Sequence, residues 1–249
     1  MDTGAVVEIE MKAESEQELD RFWAYELGMD SGLANAPRIC CTVQHIYSGV
    51  QLFRNSEQLV VASPPSRAEF IQDALTDGSA EELFSVEWLQ RVLSKDAEKI
   101  LGPAEVHYAD ETTFRSARIH SARALSASDS VAHKALVAAL DPGEVEDSGI
   151  SAQAAPAFGA FCDDRLCAVA SYEVWKPSIA HITVAIHPDY RRRGFAKAAV
   201  GALAADALDR GLILQWRAVA WNKNSLAVAR DLGFKYYCST LYVRLRDSG

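Results

Sequence analysis

The hydrophobic pattern over the first 110 or so residues alternates between helical and strand periods. Apolar side chains such as Leu19, Phe22 and Trp23 recur at helical spacing, and helices are predicted over residues 14–28, 66–75 and 80–93. Short apolar runs bounded by turn residues indicate strands at 39–46, 50–53, 59–62 and 106–108. We therefore expect an N-terminal accessory domain of α+β type, spanning residues 1–112.

The order of elements changes from about residue 114, and residues 113–249 are expected to form a second domain. Three apolar runs separated by short turns predict an antiparallel meander at 158–162, 166–175 and 179–186. A strand at 116–125 and a helix from Ser126 and Asp129 to Leu140, ended by Pro142-Gly143, are predicted before the meander. The elements predicted after it are a helix ending at Gly211, a strand at 212–220, a helix at 225–232 and a strand at 235–245.

The junction at residues 187–197, with the sequence HPDYRRRGFAK, carries the most specific local pattern. An apolar strand ends at Pro188, a basic turn containing Gly194 follows, and an alanine-rich helix begins at once. The first N–H groups of a helix have no internal partner, and the helix dipole makes that end partly positive. Arginines add charge-assisted hydrogen bonds. This pattern predicts a site for a phosphorylated ligand.

Composition narrows the range of functions. The chain of 249 residues is 49% hydrophobic and 24% charged, which is typical of soluble globular proteins. Residues 1–110 carry 8 Lys and Arg against 20 Asp and Glu, whereas residues 111–249 carry 17 against 14. The acidic half argues against nucleic-acid binding. The excess of acidic residues suits a cationic substrate or partner, or it is simply a solvated acidic surface.

The sequence gives no sign of a membrane span, a signal peptide or a metal site. No apolar run approaches the roughly 20 residues that a membrane span needs, so we expect a cytoplasmic protein without membrane contact. The odd number of cysteines argues against a disulfide framework, and their spacing is not that of a metal site. We interpret all five as buried thiols: Cys40, Cys41, Cys162, Cys167 and Cys238.

Two motifs together resemble the GNAT superfamily of acetyl-CoA-dependent N-acyltransferases. The first is R-x-x-G-x-A at Arg191–Ala196, which follows the run HITVAIHPDY. The second begins at Asn222 and closes with Gly233-Phe234. The resemblance covers about residues 115–249. It implies an α+β (mixed α/β) fold with a mostly antiparallel sheet flanked by helices.

The resemblance also implies which residues bind acetyl-CoA. The backbone of Val184, Ala185 and Ile186 would pair with the pantetheine arm, and Asn222 would hydrogen-bond the cofactor near its reactive end. The segment that would cradle the pyrophosphate, with Arg191 at the family's Arg/Gln position, comprises Arg191, Arg192, Arg193, Gly194, Phe195, Ala196 and Lys197.

The residues that the family uses for proton transfer are missing. The usual tyrosine acid falls at Ala229 and the usual acidic base at Arg217, while the base of histone-type relatives falls near Ala180. Residues on strands that should border the cleft are the substitutes we consider: Glu173, His181, Tyr236 and Tyr237. Alternatively, an acceptor amine of low pKa needs little base catalysis, or the protein binds acetyl-CoA without turnover.

These observations lead to one preferred function and two alternatives. We expect direct acetyl transfer to a primary amine of an unidentified small molecule, peptide or protein. An acetyl-CoA-binding regulatory or interaction module is the alternative, and a phosphate-ligand or RNA-binding domain is a weaker one. The N-terminal region would cover one end of the substrate cleft, form a homodimer contact or be a degenerate second GNAT-like half. The acidic residues Glu144, Glu146 and Asp147 slightly favour a cationic amine.

Overall fold

A computed structural model describes residues 9–76, 78–116, 120–154, 156–175 and 177–246. The helices in these residues are α1 Ala13–Glu26, α2 Ala68–Ala74, α3 Ala80–Leu83, α4 Val86–Val92, α5 Ser130–Ala138, α6 Pro142–Ser148, α7 Phe195–Asp209 and α8 Lys223–Asp231. The strands are β1 Ile39–Val43, β2 Val50–Arg54, β3 Leu59–Ser63, β4 Ala97–Ala109, β5 Ser121–Ala124, β6 Ala157–Cys162, β7 Arg165–Trp175, β8 Ile179–Ile186, β9 Ile213–Val219 and β10 Lys235–Leu245.

The chain divides into two compact units that are interleaved along the sequence. Among the described residues, the first unit comprises 9–12, 108–216 and 224–235, and we call it the meander unit. The second unit comprises 13–107, 217–223 and 236–246. The sequence-based division into domains at residue 112 stays a prediction.

The meander unit contains four strands that pair in antiparallel order and one parallel pairing. Strands β5, β6, β7 and β8 pair in antiparallel order. Strand β9 then joins β8 in parallel, but only Ile179–His181 pair with Ile213–Gln215. Beyond His181, β8 runs on to Ile186 without pairing with β9 among the described residues. The two strands therefore separate after a short contact.

Helices cover both faces of this sheet. On one face, the α7 side chain Asp206 accepts a 2.6 Å hydrogen bond from the Tyr172 hydroxyl of β7. On the other, Leu136 of α5 packs in a buried cluster with Val169 and Ala185. Val169 and Tyr172 lie on opposite faces because successive side chains of a strand alternate. The α7 residues that face the sheet are alanine, valine and leucine, which lets the helix approach closely.

The second unit contains four neighbouring strands and its own buried core. Its strand order is β1-β3-β2-β10, with β1 and β3 parallel and the other two pairs antiparallel. The side chains of Trp88 and Leu89 from α4 are buried against this sheet together with Ile71 of α2. On α1, the buried ring of Trp23 contacts Phe53 at a centroid distance of 4.9 Å.

Local chemistry explains where the observed elements differ from the prediction. The helix predicted over 80–93 is two helices, because Phe84 leaves helical geometry and Ser85 accepts a hydrogen bond from the Trp88 amide as a new N-cap. Pro142 begins helix α6, since Asp141 caps it and proline suits a first helical position. The acidic segment that follows, for which the sequence allows a loop or a short helix, is therefore helical.

Two predicted strands also have different lengths. The short strand predicted at 106–108 is the end of the 13-residue strand β4. The strand predicted at 116–125 is described only as Ser121–Ala124, and residues 117–119 lie outside the described residues. In the described part of the chain, no helix is long and apolar enough to cross a membrane.

Gly233 and Gly211 provide a matched test of packing in the meander unit. Both have positive φ, at 85° and 70°, but a Cβ on Gly233 would lie 2.0 Å from the carbonyl oxygen of Thr113, and one on Gly211 would contact nothing within 4 Å. We expect Gly211→Ala to lower the free energy of unfolding by about 1 kcal/mol through backbone strain alone. Gly233→Ala should cost at least about 2 kcal/mol more. Urea unfolding followed by tryptophan fluorescence measures both, and equal losses would contradict the packing argument.

Candidate functional site

The basic turn between β8 and α7 contains two residues in left-handed geometry. The His187 amide donates to the Cys167 carbonyl, which anchors the start of the turn. Arg192 has φ 61° and Gly194, the N-cap of α7, has φ 87°. Left-handed geometry is routine for glycine but strained for arginine. The turn thus holds backbone strain at the position where the sequence predicts ligand binding.

The backbone amides of the turn are available to an anion. Among the described residues, the N–H groups of residues 192–197 donate no backbone hydrogen bond, and Gly194 offers no side chain to cap α7. The first internal bond of the helix runs from the Ala198 amide to the Gly194 carbonyl. Because α7 is 15 residues long, its dipole adds partial positive charge at the same end.

His120 and Phe195 hold the turn in place through a hydrogen bond and a ring contact. The imidazole of His120 stacks on the Phe195 ring at a centroid distance of 3.9 Å, and its Nε2 lies 2.6 Å from the Arg193 carbonyl oxygen. A carbonyl oxygen can only accept, so Nε2 of His120 carries the hydrogen. Tyr190 packs edge-on against Phe195 at 5.7 Å. Sequence reasoning missed His120, because it lies 73 residues from its partner and in no motif.

The cationic side chains of the turn are held by exchangeable contacts. Arg191 forms a 2.8 Å ion pair with Glu144 of α6, and Lys197 forms one of 2.5 Å with Asp231 of α8. The Arg193 guanidinium lies 5.6 Å from the ring centre of Tyr190. Exposed ion pairs of this kind contribute little free energy. A phosphate can therefore recruit these side chains at small cost.

The separation of β8 from β9 leaves the backbone of Val184, Ala185 and Ile186 beside a gap in the sheet. On the other side of β8, these residues pair with Ala168–Ala170 of β7. The Ala185 side chain is buried in the core, while Val184 and Ile186 are half-buried. A strand edge without a neighbouring strand can pair with the amides of an extended ligand.

His181 lies where the two strands separate, and it contacts a buried polar pair. Its Nδ1 is 2.7 Å from Oε1 of Gln215, and Nε2 of Gln215 donates to the Tyr108 hydroxyl at 2.7 Å. Gln215 and Tyr108 are 1% and 0% exposed. Sequence reasoning selected His181 and missed both supporting residues, since nothing near them in the sequence marks them.

Glu173 and Trp175 share a face with His181. Glu173 pairs with His181 across β7 and β8, so both side chains point to the same side of the sheet. The Trp175 ring stacks on the His181 imidazole at 4.0 Å, and its Nε1 donates to the exposed Glu173 carboxylate at 3.4 Å. The structure thus brings two of the four candidate proton-transfer residues together.

The other two candidates, Tyr236 and Tyr237, lie on strand β10 of the second unit. They point to opposite faces of the strand because they are adjacent. The Tyr236 hydroxyl lies 2.9 Å from that of Ser239. Burial raises the pKa of both phenols, so each stays protonated at neutral pH and could act only as an acid. Their catalytic role stays a prediction.

Three positions singled out by the family resemblance have clear structural surroundings. Asn222 is exposed in the turn before α8, and its backbone amide donates to the Val219 carbonyl. Its cofactor role stays a prediction. The Arg217 guanidinium lies over the Tyr242 ring at 4.5 Å, and the Ala229 methyl group is fully buried. Neither Arg217 nor Ala229 can supply the missing base or acid.

Four of the five cysteines are poor nucleophiles, because burial disfavours their thiolates. Cys167 and Cys238 are buried, while Cys40, Cys41 and Cys162 are half-buried, which is less burial than the sequence suggested. Burial raises the pKa of the Cys40, Cys167 and Cys238 thiols, and that of Cys41 to about 11. The described residues contain no group of three or more His, Cys, Asp or Glu side chains placed to hold a metal ion.

Comparisons with known proteins agree with the motifs. Residues 153–241 match the family model of GNAT acetyltransferases. A GCN5-related N-acetyltransferase from Kribbella flavida has a similar structure, with a TM-score of 0.51 at 13% identity over 96% of this chain and 98% of that chain. This similarity shows the fold. A search of curated proteins found no match.

Two further solved structures are similar over about two thirds of the chain. A GNAT-family protein from Novosphingobium aromaticivorans has a TM-score of 0.49 at 22% identity, with 61% of this chain and 67% of that chain covered. A GNAT-family acetyltransferase from Colwellia psychrerythraea has a TM-score of 0.47 at 12% identity, with 63% and 61% covered. The family match confirms the resemblance inferred from the sequence, and the expected mixed α+β fold is confirmed as well.

The strained turn makes a stability prediction that compares adjacent residues. Arg192→Gly relieves the left-handed strain, so the free energy of unfolding should stay unchanged or rise slightly. Arg193→Gly removes a residue without positive φ, so it should lower that free energy by about 1 kcal/mol through chain entropy and lost ring contact. Thermal unfolding of the two variants tests this, and a larger loss for Arg192→Gly would contradict it.

Proposed function

We propose that this chain, whose residues 153–241 belong to the GNAT acetyltransferase family, transfers the acetyl group of acetyl-CoA directly to a primary amine. The family makes it an acyltransferase. The observation that carries the proposal is the geometry of β8. This strand leaves β9 at His181 and ends, five residues later, at the turn whose amides are open to an anion. One strand therefore connects a candidate base with a candidate phosphate site.

The residues along β8 fit the chemical groups of acetyl-CoA in the order required. At the turn, unpaired N–H groups and three arginines suit a pyrophosphate. The unpaired edge at Val184–Ile186 suits the amides of pantetheine. From Val184 to His181 the strand rises roughly 10 Å. The reactive end of such a ligand would accordingly lie near His181.

The proposed reaction needs a group that takes a proton from the acceptor amine. Acetyl-CoA supplies a thioester carbonyl carbon, to which the amine nitrogen bonds while the carbon–sulfur bond breaks and the CoA thiolate leaves. The Nε2 atom of His181 would accept the proton that the amine nitrogen loses. Glu173, across the strands on the same face, would attract a cationic acceptor and orient it. The proton for the thiolate is assigned to no residue.

Direct transfer is favoured over an acetyl-enzyme by the state of three cysteines, Cys41, Cys167 and Cys238. A thiol attacks a thioester as its thiolate. The pKa of Cys41 is raised to about 11, and burial also raises the pKa of Cys167 and Cys238. At neutral pH these thiols are almost entirely protonated. A ternary complex with the amine therefore fits these residues better than a covalent intermediate.

Several finer parts of the proposal rest on the sequence. An acceptor that is a cationic amine is favoured by Glu173 and by the acidic helix α6. An accessory domain at residues 1–112, a homodimer, a cytoplasmic location and the absence of nucleic-acid binding are likewise proposed from the sequence patterns and charge. The alternative function is a regulatory module that binds acetyl-CoA without turnover. The unusual proton-transfer residues favour this alternative.

Binding of acetyl-CoA is tested by a double variant with a matched control on the same helix. Arg191→Glu with Gly194→Asp makes the net charge at the start of α7 more negative by about three units. We expect the affinity for acetyl-CoA, measured by calorimetry, to fall on the order of 100-fold or more. Arg210→Glu with Gly211→Asp makes the same substitutions at the other end of α7 and should keep affinity. Unchanged affinity in the first variant would refute the cofactor site.

The base is tested with His181→Ala, using His45→Ala of the second unit as the control. Release of free CoA thiol is measured against a panel of amines that contains peptide α-amines and lysine-type amines. We expect kcat/KM to fall roughly 10²- to 10⁴-fold at pH 7. The defect should shrink as pH rises, because the amine then loses its proton to solvent. It should shrink earlier for α-amines, of pKa about 8, than for lysine-type amines, of pKa about 10.4.

Three outcomes of this assay separate the proposals. Full activity of His181→Ala would exclude the histidine as the base while leaving acetyl transfer intact. Tight acetyl-CoA binding by the unaltered protein with no thiol release on any amine would support the regulatory module. If the unaltered protein acetylates an amine and His181→Ala does not, both the reaction and the assignment of the base are supported.

A further inference from the structure

We infer that His120 is a positioning residue for the cofactor site, because it fixes the peptide group between Arg193 and Gly194 with its N–H directed towards a bound phosphate. This inference rests on the proposed function, whose ligand is suggested by the family match of residues 153–241. His120 lies outside that match and in no sequence motif. His120 and the turn both belong to the meander unit.

One hydrogen bond sets the direction of this peptide group. Nε2 of His120 lies 2.6 Å from the Arg193 carbonyl oxygen, and a carbonyl oxygen can only accept, so Nε2 donates. In a trans peptide the carbonyl and the N–H of the next residue point in opposite directions. The Gly194 N–H therefore points away from His120. Within the described residues it donates no backbone hydrogen bond, which leaves it for an anion.

Gly194 makes the opposite orientation of the same peptide group accessible. A reversal rotates the group by about 180° and would take φ of Gly194 from 87° to about −93°, a value that every residue type adopts. The next peptide group is held, since the Gly194 carbonyl accepts the first internal bond of α7 from the Ala198 amide at 3.2 Å. The group between Arg193 and Gly194 can therefore reverse without disturbing the helix.

The reversed orientation would oppose phosphate binding. It would direct the Arg193 carbonyl oxygen, with its partial negative charge, at the position where the Gly194 N–H otherwise donates. It would also remove the acceptor of the His120 N–H, so His120 stabilises the orientation that binds an anion. The imidazole is itself restrained, because it stacks at 3.9 Å on the ring of Phe195, which is 3% exposed.

The position of His120 in the chain attaches this hydrogen bond to the sheet. His120 directly precedes β5, whose first residue, Ser121, pairs with Phe161 of β6. The acceptor, by contrast, lies 73 positions away in the connection between β8 and α7. The turn alone does not determine how its peptide group faces. A donor held by a different strand determines it.

Nuclear magnetic resonance of the full chain tests the orientation without any ligand. A reversal rotates ψ of Arg193 by about 180° and so changes the distance, and the NOE, between its Hα and the Gly194 amide proton. His120→Phe keeps a ring to stack on Phe195 and removes the donor, so this NOE should change. His120→Gln places an N–H donor near the position of Nε2 without the ring, and it should keep the NOE of the unaltered protein.

Calorimetry tests what the orientation does for binding, with acetyl-CoA and inorganic pyrophosphate as the two probes. His120→Phe should lower the affinity for both about 10-fold, because apparent affinity falls with the fraction of molecules in the binding orientation. His120→Gln should stay within about 3-fold of the unaltered protein. A purely structural role would lower the free energy of unfolding in urea and leave the affinity of the folded protein unchanged.

Gly194→Ala reaches the same peptide group from its other side. A methyl group disfavours positive φ and hence favours the reversed orientation, so affinity should again fall about 10-fold. Gly211→Ala adds a methyl group at φ 70° at the other end of α7 and should keep affinity. Combined with His120→Phe, Gly194→Ala should lower affinity by less than the product of the two separate losses, since both changes act on one peptide group.

The outcomes distinguish failure of this inference from failure of the proposed function. If the unaltered protein binds acetyl-CoA and His120→Phe keeps both the NOE and the affinity, the positioning role is refuted and the cofactor site stands. Losses that multiply in full in the double variant would also refute the positioning role. If the unaltered protein binds neither acetyl-CoA nor pyrophosphate, the proposed cofactor site fails, and the use of the peptide orientation fails with it.

Discussion

The parallel pairing of β8 with β9 is the constraint on which the candidate site depends. It joins only three residues of each strand and ends at His181 and Gln215. Beyond this point, within the part of the chain that the structure describes, the strand edge at Val184–Ile186 does not pair with β9, as it would in a closed sheet. The same pairing brings Gln215 against His181. One short strand contact thus creates both the gap for an extended ligand and the support for the residue at its inner end.

At the other end of β8, the turn that we propose binds a phosphate contains backbone strain. Arg192 has φ 61° and carries a Cβ in a region that favours glycine. His120 helps to hold this turn, because it donates to the Arg193 carbonyl and stacks on Phe195. The bond from His120 occupies the Arg193 carbonyl oxygen. The N–H groups of the turn can then face an anion. Strain and support together preorganise the backbone, so that binding a phosphate requires little reordering.

Sequence reasoning succeeded where the signal is local. Period-two runs identified β6, β7 and β8, and Gly194 with its arginines identified the turn, because these signals depend on adjacent residues. It failed where one side chain starts a new element, as when Ser85 caps a second helix inside the single helix predicted over 80–93. It also missed Tyr108, which meets Gln215 across 107 positions of sequence. Long-range polar contacts leave no periodic trace, so one sequence alone cannot reveal them.

The two ends of the candidate site differ in charge and in exposure to solvent, and each suits the role that we propose for it. The turn is exposed and cationic, with Arg191 and Lys197 in weak ion pairs that a strongly hydrated phosphate can replace. Around His181 the supporting partners, Gln215 and Tyr108, are buried and neutral. A buried carboxylate in place of Gln215 would attract the proton to the imidazole before the amine arrived. A neutral amide holds the ring through the contact with Nδ1 and adds no charge beside it.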